Sequence, residues 1–124
     1  MILRIARHTD DLDAITVFYT TLLGLEIQGS FADHDGYSGI FLGKEGMGWQ
    51  LEFTRSLSPA DHRFDEDDLL VFYPETMEAY NDLLARLEVN GIQRHLPKNP
   101  YWEANGILIK DPDGYGVLVS GLFA

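Results

Sequence analysis

The sequence predicts an α+β protein built from two tandem βαβββ modules, and three observations carry that prediction. Hydrophobic spacing passes from strand-like alternation to a helical period and back to alternation, twice along the 124 residues. A slide of 67 residues lays Thr9 on Thr76, Gly24 on Gly91, Leu25 on Ile92, Gly39 on Gly106, Ile40 on Ile107, Leu42 on Ile109 and Leu51 on Leu118. Between the halves runs RSLSPADHRFDEDD, a polar and acidic stretch without periodicity. These boundaries give one domain over 1–124, with module one at 1–56, an acidic linker at 57–67 and module two at 68–124.

Each element has its own local reason. Met1 to His8 alternates, with Leu3 and Ile5 opposite Ile2, Arg4 and Ala6, and is predicted as a strand. Thr9, Asp10 and Asp11 supply N-cap oxygens to a helix whose apolar face is Leu12, Ile15, Phe18, Tyr19 and Leu22, and Gly24 suits its C-terminal stop. Strands follow over Leu25–Phe31, Ser38–Gly43 and Trp49–Thr54. The second half starts with a strand over Leu69–Tyr73. Thr76 then caps a helix bearing Met77, Tyr80, Leu83, Leu84 and Leu87, which closes at Gly91. Strands are predicted near Ile92–Leu96, Gly106–Lys110 and Val117–Leu122. DHDGY at 33–37 and DPDGY at 111–115 share four of five residues but lie 78 apart, so they are not the repeat. Their likeness reflects the turn chemistry of Asp and Gly, and the counterpart of DHDGY is the loop PYWEA at 100–104.

Composition narrows the function. The absence of cysteine removes disulfides, thiolate ligands and thiol nucleophiles. A formal net charge of −11 opposes binding to nucleic acid or to an anionic membrane; it permits a cationic ligand, though solubility is its more frequent cause. No segment approaches the roughly 20 apolar residues of a membrane span, and MILRIARH is too charged for a secretory signal, so a cytoplasmic protein is expected.

The runs TDDLDAITVFYTTLLGLE, LEFT and KDPDGYGVLV resemble the vicinal oxygen chelate superfamily, which includes glyoxalase I, bleomycin-resistance proteins and extradiol dioxygenases. HDGYSG, LEF, NPYW and DPDGY together resemble a glyoxalase-like subgroup. The resemblance implies curled mixed sheets enclosing a cleft, a homodimer, and in many members a divalent metal held by the first and fourth strands of each module. Carried over, those ligand positions fall on Arg4, Glu52, Leu69 or Val71, and Leu118. Glu52 alone matches, and a guanidinium is a poor ligand. The expectation is therefore no cofactor and no metal, with Arg4 and Glu52 paired where relatives hold the ion. That pair is read either as a structural salt bridge or as an anchor for a ligand carboxylate, carbonyl or enolate, with Glu52 as general base.

Further candidates are His34, as an acid–base group, and Tyr37, both near the expected cleft mouth. Tyr101 and Trp102 are candidates to stack on a flat or cationic ligand. His8, His62 and His95 have no partners at ligand spacing. Three functions follow: a metal-free protein that binds a cationic or aromatic small molecule in a polar, aromatic-lined cleft; a metal-dependent lyase, isomerase or dioxygenase with rearranged ligands; or a non-catalytic scaffold.

Overall fold

The computed structural model describes residues 1–122 and divides into two compact units, Met1–His62 and Arg63–Ala124. In unit one, β1 (Leu3–His8) leads into α1 (Leu12–Val17), which continues as one π-helical turn over Phe18–Leu22. β2 (Glu26–His34), β3 (Tyr37–Gly43) and β4 (Trp49–Arg55) follow. The sheet order is β1-β4-β3-β2, with β1 parallel to β4 and the other pairs antiparallel. Unit two holds β5 (Leu69–Phe72), α2 (Met77–Val89), α3 (Pro100–Asn105), β6 (Gly106–Lys110) and β7 (Gly116–Ser120), with the sheet order β5-β7-β6. No helix among the described residues is long and apolar enough to cross a membrane.

The helix starts follow the predicted chemistry. Asp11 caps α1 by accepting from the Ala14 N–H at 3.0 Å, and Thr76 caps α2 by accepting from the Ala79 N–H at 3.0 Å. Gly24 and Gly91 end their helices with φ of 74° and 64°, in the left-handed region that suits glycine. The Thr16 and Thr20 hydroxyls donate to the Leu12 and Thr16 carbonyls, both at 2.7 Å. Such back-bonding bends helices and coincides here with the turn that widens to π geometry.

Two expectations fail in unit two. Residues 92–96 do not form a strand: His95 makes one isolated antiparallel bridge, its N–H donating to the Leu108 carbonyl at 2.8 Å. Continuing that register would set Pro97 against Gly106, and proline has no N–H for the next rung. PYWEA is not a loop but α3. Asn99 caps it by accepting from the Tyr101 N–H, and Pro100 stands in its first turn.

The register also refines the repeat. Gly43 pairs with Gln50 in unit one, whereas Lys110 pairs with Gly116 in unit two. The turn before the last strand is thus one residue longer in unit one, and the slide drops to 66 in that strand. Leu51 consequently corresponds to Val117, and Glu52 to Leu118.

The first core lies on one side of its sheet. Ile15, Tyr19, Leu42, Leu51 and Phe53 are buried, and Tyr19 stacks on Phe53 with ring centroids 5.2 Å apart. Helix α1 therefore covers the Leu51–Phe53 side, and alternation leaves Arg4, Gln50 and Glu52 on the other. In unit two Leu83, Leu87, Ile109, Val117 and Val119 are buried.

Candidate functional site

The face of the first sheet opposite α1 collects the unit's polar chemistry. Register sets Arg4, Ala6 and His8 of β1 beside Gln50, Glu52 and Thr54 of β4. Across β4 stand Gly43, Phe41 and Gly39 of β3, and beyond them Gly29 and Phe31 of β2. A hydrogen-bonded relay crosses this face. Arg4 Nε donates to Gln50 Oε1 at 2.9 Å, and Gln50 Nε2 donates to Gln28 Oε1 at 2.7 Å. The Arg4 guanidinium carbon lies 4.4 Å from the centroid of the Phe41 ring, a cation–π placement that holds the long side chain across the strands.

Glycines make the floor flat. A Cβ at Gly39 would collide with the Phe31 ring, one at Gly29 would meet Phe41 at 3.2 Å, and one at Gly43 would meet the Gln28 amide oxygen at 2.7 Å. Phe31 and Phe41 thus lie down over glycines, with centroids 6.0 Å apart, while Arg4 bridges toward them from the opposite edge strand.

The expected pair between Arg4 and Glu52 does not form. Arg4 is opposite Gln50, one rung away from Glu52, which faces Ala6 on one side and Phe41 on the other. Among the described residues the Glu52 carboxylate makes no ion pair. The reason is parity along β4: Gln50 and Glu52 share a face, but the nearer amide takes the Arg4 Nε–H. Each of the other N–H groups of Arg4 is a further donor on this face.

At the far end of the face, His8 Nδ1 lies 2.8 Å from Thr54 Oγ1 and His8 Nε2 lies 3.1 Å from Ser56 Oγ. Its ring meets Tyr37 edge-on at 5.7 Å. His34 precedes the Asp35–Gly36 turn, where both central residues have positive φ (52° and 84°), and pairs in register with Tyr37. Its side chain is 80% exposed, with Nε2 3.6 Å from the Asp35 carboxylate, an exposed pair that fixes the ring weakly. Tyr101 and Trp102 belong to unit two, where their rings meet edge-on at 4.9 Å and Trp102 also meets Tyr73 at 6.3 Å.

The structure thus brings Arg4, Glu52 and Tyr37 onto one face of unit one and places Tyr101 with Trp102 in a separate aromatic cluster. Sequence reasoning missed Gln28, Gln50, Phe31, Phe41, His8 and Tyr73. Parity could have found Gln50 and Phe41, since both share a face with Glu52 once the β3–β4 register is known.

The family's metal positions can be tested on donor chemistry. The paired registers make Leu69 the counterpart of Arg4 and Leu118 that of Glu52. One carboxylate, one guanidinium and two alkyl side chains supply a single ligating residue and do not fit a chelated divalent ion. Among the described residues no group of three or more His, Asp or Glu side chains gathers elsewhere.

Comparisons with known proteins agree with this architecture. The YycE-like N-terminal domain family matches residues 3–54, and the YycE-like C-terminal domain family matches residues 67–120. The uncharacterized protein YycE of Bacillus subtilis (strain 168) is 38% identical over 120 residues, covering 94% of this chain and 84% of that one. The crystal structure of a B. subtilis YycE protein of unknown function, a suggested glyoxalase/fosfomycin resistance protein, superposes with a TM-score of 0.87 at 35% identity, over 99% of this chain and 90% of its own. Two more distant structures share the fold. Leishmania major glyoxalase I, a trypanothione-dependent enzyme, has a TM-score of 0.72 at 22% identity, covering 97% and 85% of the two chains. TnmS3, an antibiotic-binding protein from Streptomyces sp. CB03234, has 0.68 at 17%, covering 97% and 93%.

Proposed function

Because this chain belongs to the YycE-like family, within the vicinal oxygen chelate fold, we propose that it binds a small organic molecule on the face of its first sheet opposite α1 and does so without a metal. The observation that carries this reading is the Arg4–Gln50–Gln28 relay laid over Phe41. It fixes a cation over an aromatic floor and leaves its outer N–H groups for a ligand acceptor. Packing alone has no use for a positioned guanidinium beside an unpaired carboxylate. The antibiotic-binding function of TnmS3 is the precedent for binding on this fold. The absence of metal in the reading rests on Arg4, Leu69 and Leu118 at the family's ligand positions. Arg4 supplies the anchor, Glu52 is the one acid in the middle of the face, and Tyr37 and His8 close its end. His34 takes no part in fixing the ligand. The same reading takes the protein as a cytoplasmic homodimer, its exposed edge strand β1 carrying Leu3 and Ile5.

The test is a thermal-shift and calorimetric screen of aromatic, cationic and anionic small molecules, run with and without chelator, on the wild type and Arg4→Gln. A hit should raise the melting temperature, keep its affinity in chelator, and bind at least about tenfold more weakly to Arg4→Gln. Binding that needs Mn²⁺, Ni²⁺ or Zn²⁺ would reinstate a metal enzyme, and binding indifferent to Arg4 would move the site off this face. Sedimentation at the same concentrations should give twice the chain mass.

A further inference from the structure

The Arg4–Glu52 arrangement also speaks to the class of ligand. These groups carry opposite charges on one face of two paired strands, offset from each other by one same-face position. No ion pair joins them, and among the described residues neither has an ion-pair partner. Phe41 lies between their reach: it is directly opposite Glu52 and beneath the Arg4 guanidinium. Phe31 offers the neighbouring ring over Gly39.

The geometry points to an aromatic zwitterion as the ligand, with its anionic group on Arg4, its cationic or donor group on Glu52, and its ring on Phe31, because the guanidinium already covers Phe41. This inference rests on the small-molecule reading above and makes it more specific. An ammonium and a carboxylate carried by one small molecule meet both side chains with charge-assisted hydrogen bonds. An anion alone would take Arg4 but face the carboxylate of Glu52. Glu26 adds to that repulsion, since it pairs with Gly43 and so stands on the edge strand of the same face. A cation alone would take Glu52 and be repelled by Arg4, the single cation on the strands of this face among the described residues. Only a molecule with both charges satisfies both groups. The ring requirement is independent of charge, because the Phe31 ring lies down over Gly39, where any side chain would displace it.

The probes are L-tryptophan, indole-3-propionate and tryptamine: one ring bearing both charges, the anion alone and the cation alone. Affinities are measured by titration calorimetry and by the shifts of the Arg4 side-chain Nε–H signal in ¹⁵N spectra, at low salt. L-Tryptophan should bind at least tenfold more tightly than either analogue. Arg4→Gln should weaken L-tryptophan and indole-3-propionate but tighten tryptamine, and Glu52→Gln should weaken L-tryptophan and tryptamine but tighten indole-3-propionate, because each change also removes a like-charge repulsion. Should one analogue match L-tryptophan within threefold, or either variant weaken all three alike, the zwitterion inference is wrong while small-molecule binding stands. Failure of all three probes overturns the inference, and failure of the broader screen as well overturns the reading beneath it. If a variant does not fold, the wild-type ranking of the three probes decides alone.

Discussion

Gly39 shows how a single hydrogen atom shapes this face. The Phe31 ring occupies the space a methyl group would need, and the Phe53 carbonyl lies 3.1 Å from the same point on the backbone side. Gly39→Ala should therefore lower stability by about 1–3 kcal/mol, the usual range for overpacking. Phe31→Leu in the same chain should recover part of that loss, read by urea unfolding of the two single variants and the double. Purely additive losses would mean that the ring does not lie over Gly39 in solution. Arg4 carries the contrasting lesson. Its guanidinium sits on the protein's surface, so Arg4→Gln should change stability by less than about 1 kcal/mol while removing ligand affinity.

At the scale of elements, the DPDG turn is held by one side chain. Asp111 is 4% exposed, and its Oδ1 accepts from the N–H groups of both Asp113 and Tyr115, at 3.0 and 3.1 Å. Asp111→Ala strands two donors beside the β6–β7 hairpin and should cost about 2–4 kcal/mol; a loss below 1 kcal/mol in thermal unfolding would show that water replaces the carboxylate. The segment 92–96 makes the opposite case. It has the apolar ends and the position of β2, yet hydrogen exchange should protect the His95 amide and leave those of Gln93 and Arg94 fast. The apolar ends were legible in the sequence, but the missing ladder was not. Strand formation needs a partner with free donors in register, and Pro97 removes one at the next rung. α3 escaped for a related reason: Asn99 and Pro100 are the cap and first-turn residues of a helix start, but six residues are too few to display a helical period.

For the whole molecule, a formal net charge of −11 over 124 residues means that folding gathers like charges. Added salt screens that repulsion, so raising NaCl from about 20 to 300 mM should raise the melting temperature by roughly 2–5 °C. A fall would show that local ion pairs outweigh the mean field. The tandem organisation was visible in the sequence because each unit repeats the same order of periodicities. The one-residue shift in the last strand was not visible. It depends on how many residues the KEGMG turn contributes before pairing resumes, and only the register between β3 and β4 counts them.

The sequence by itself determined the α+β class, the tandem order of the two units, the βαβββ order of the first unit, the helix caps and the vicinal oxygen chelate likeness. Those follow from residue types and spacings, which local physics translates directly. Tertiary structure alone decided that Arg4 bonds Gln50 instead of Glu52, that Phe31 and Phe41 lie down over glycines, and that Tyr101 and Trp102 gather with Tyr73. Each depends on which residues stand opposite one another across strands far apart in the chain, and no spacing within one strand fixes that register.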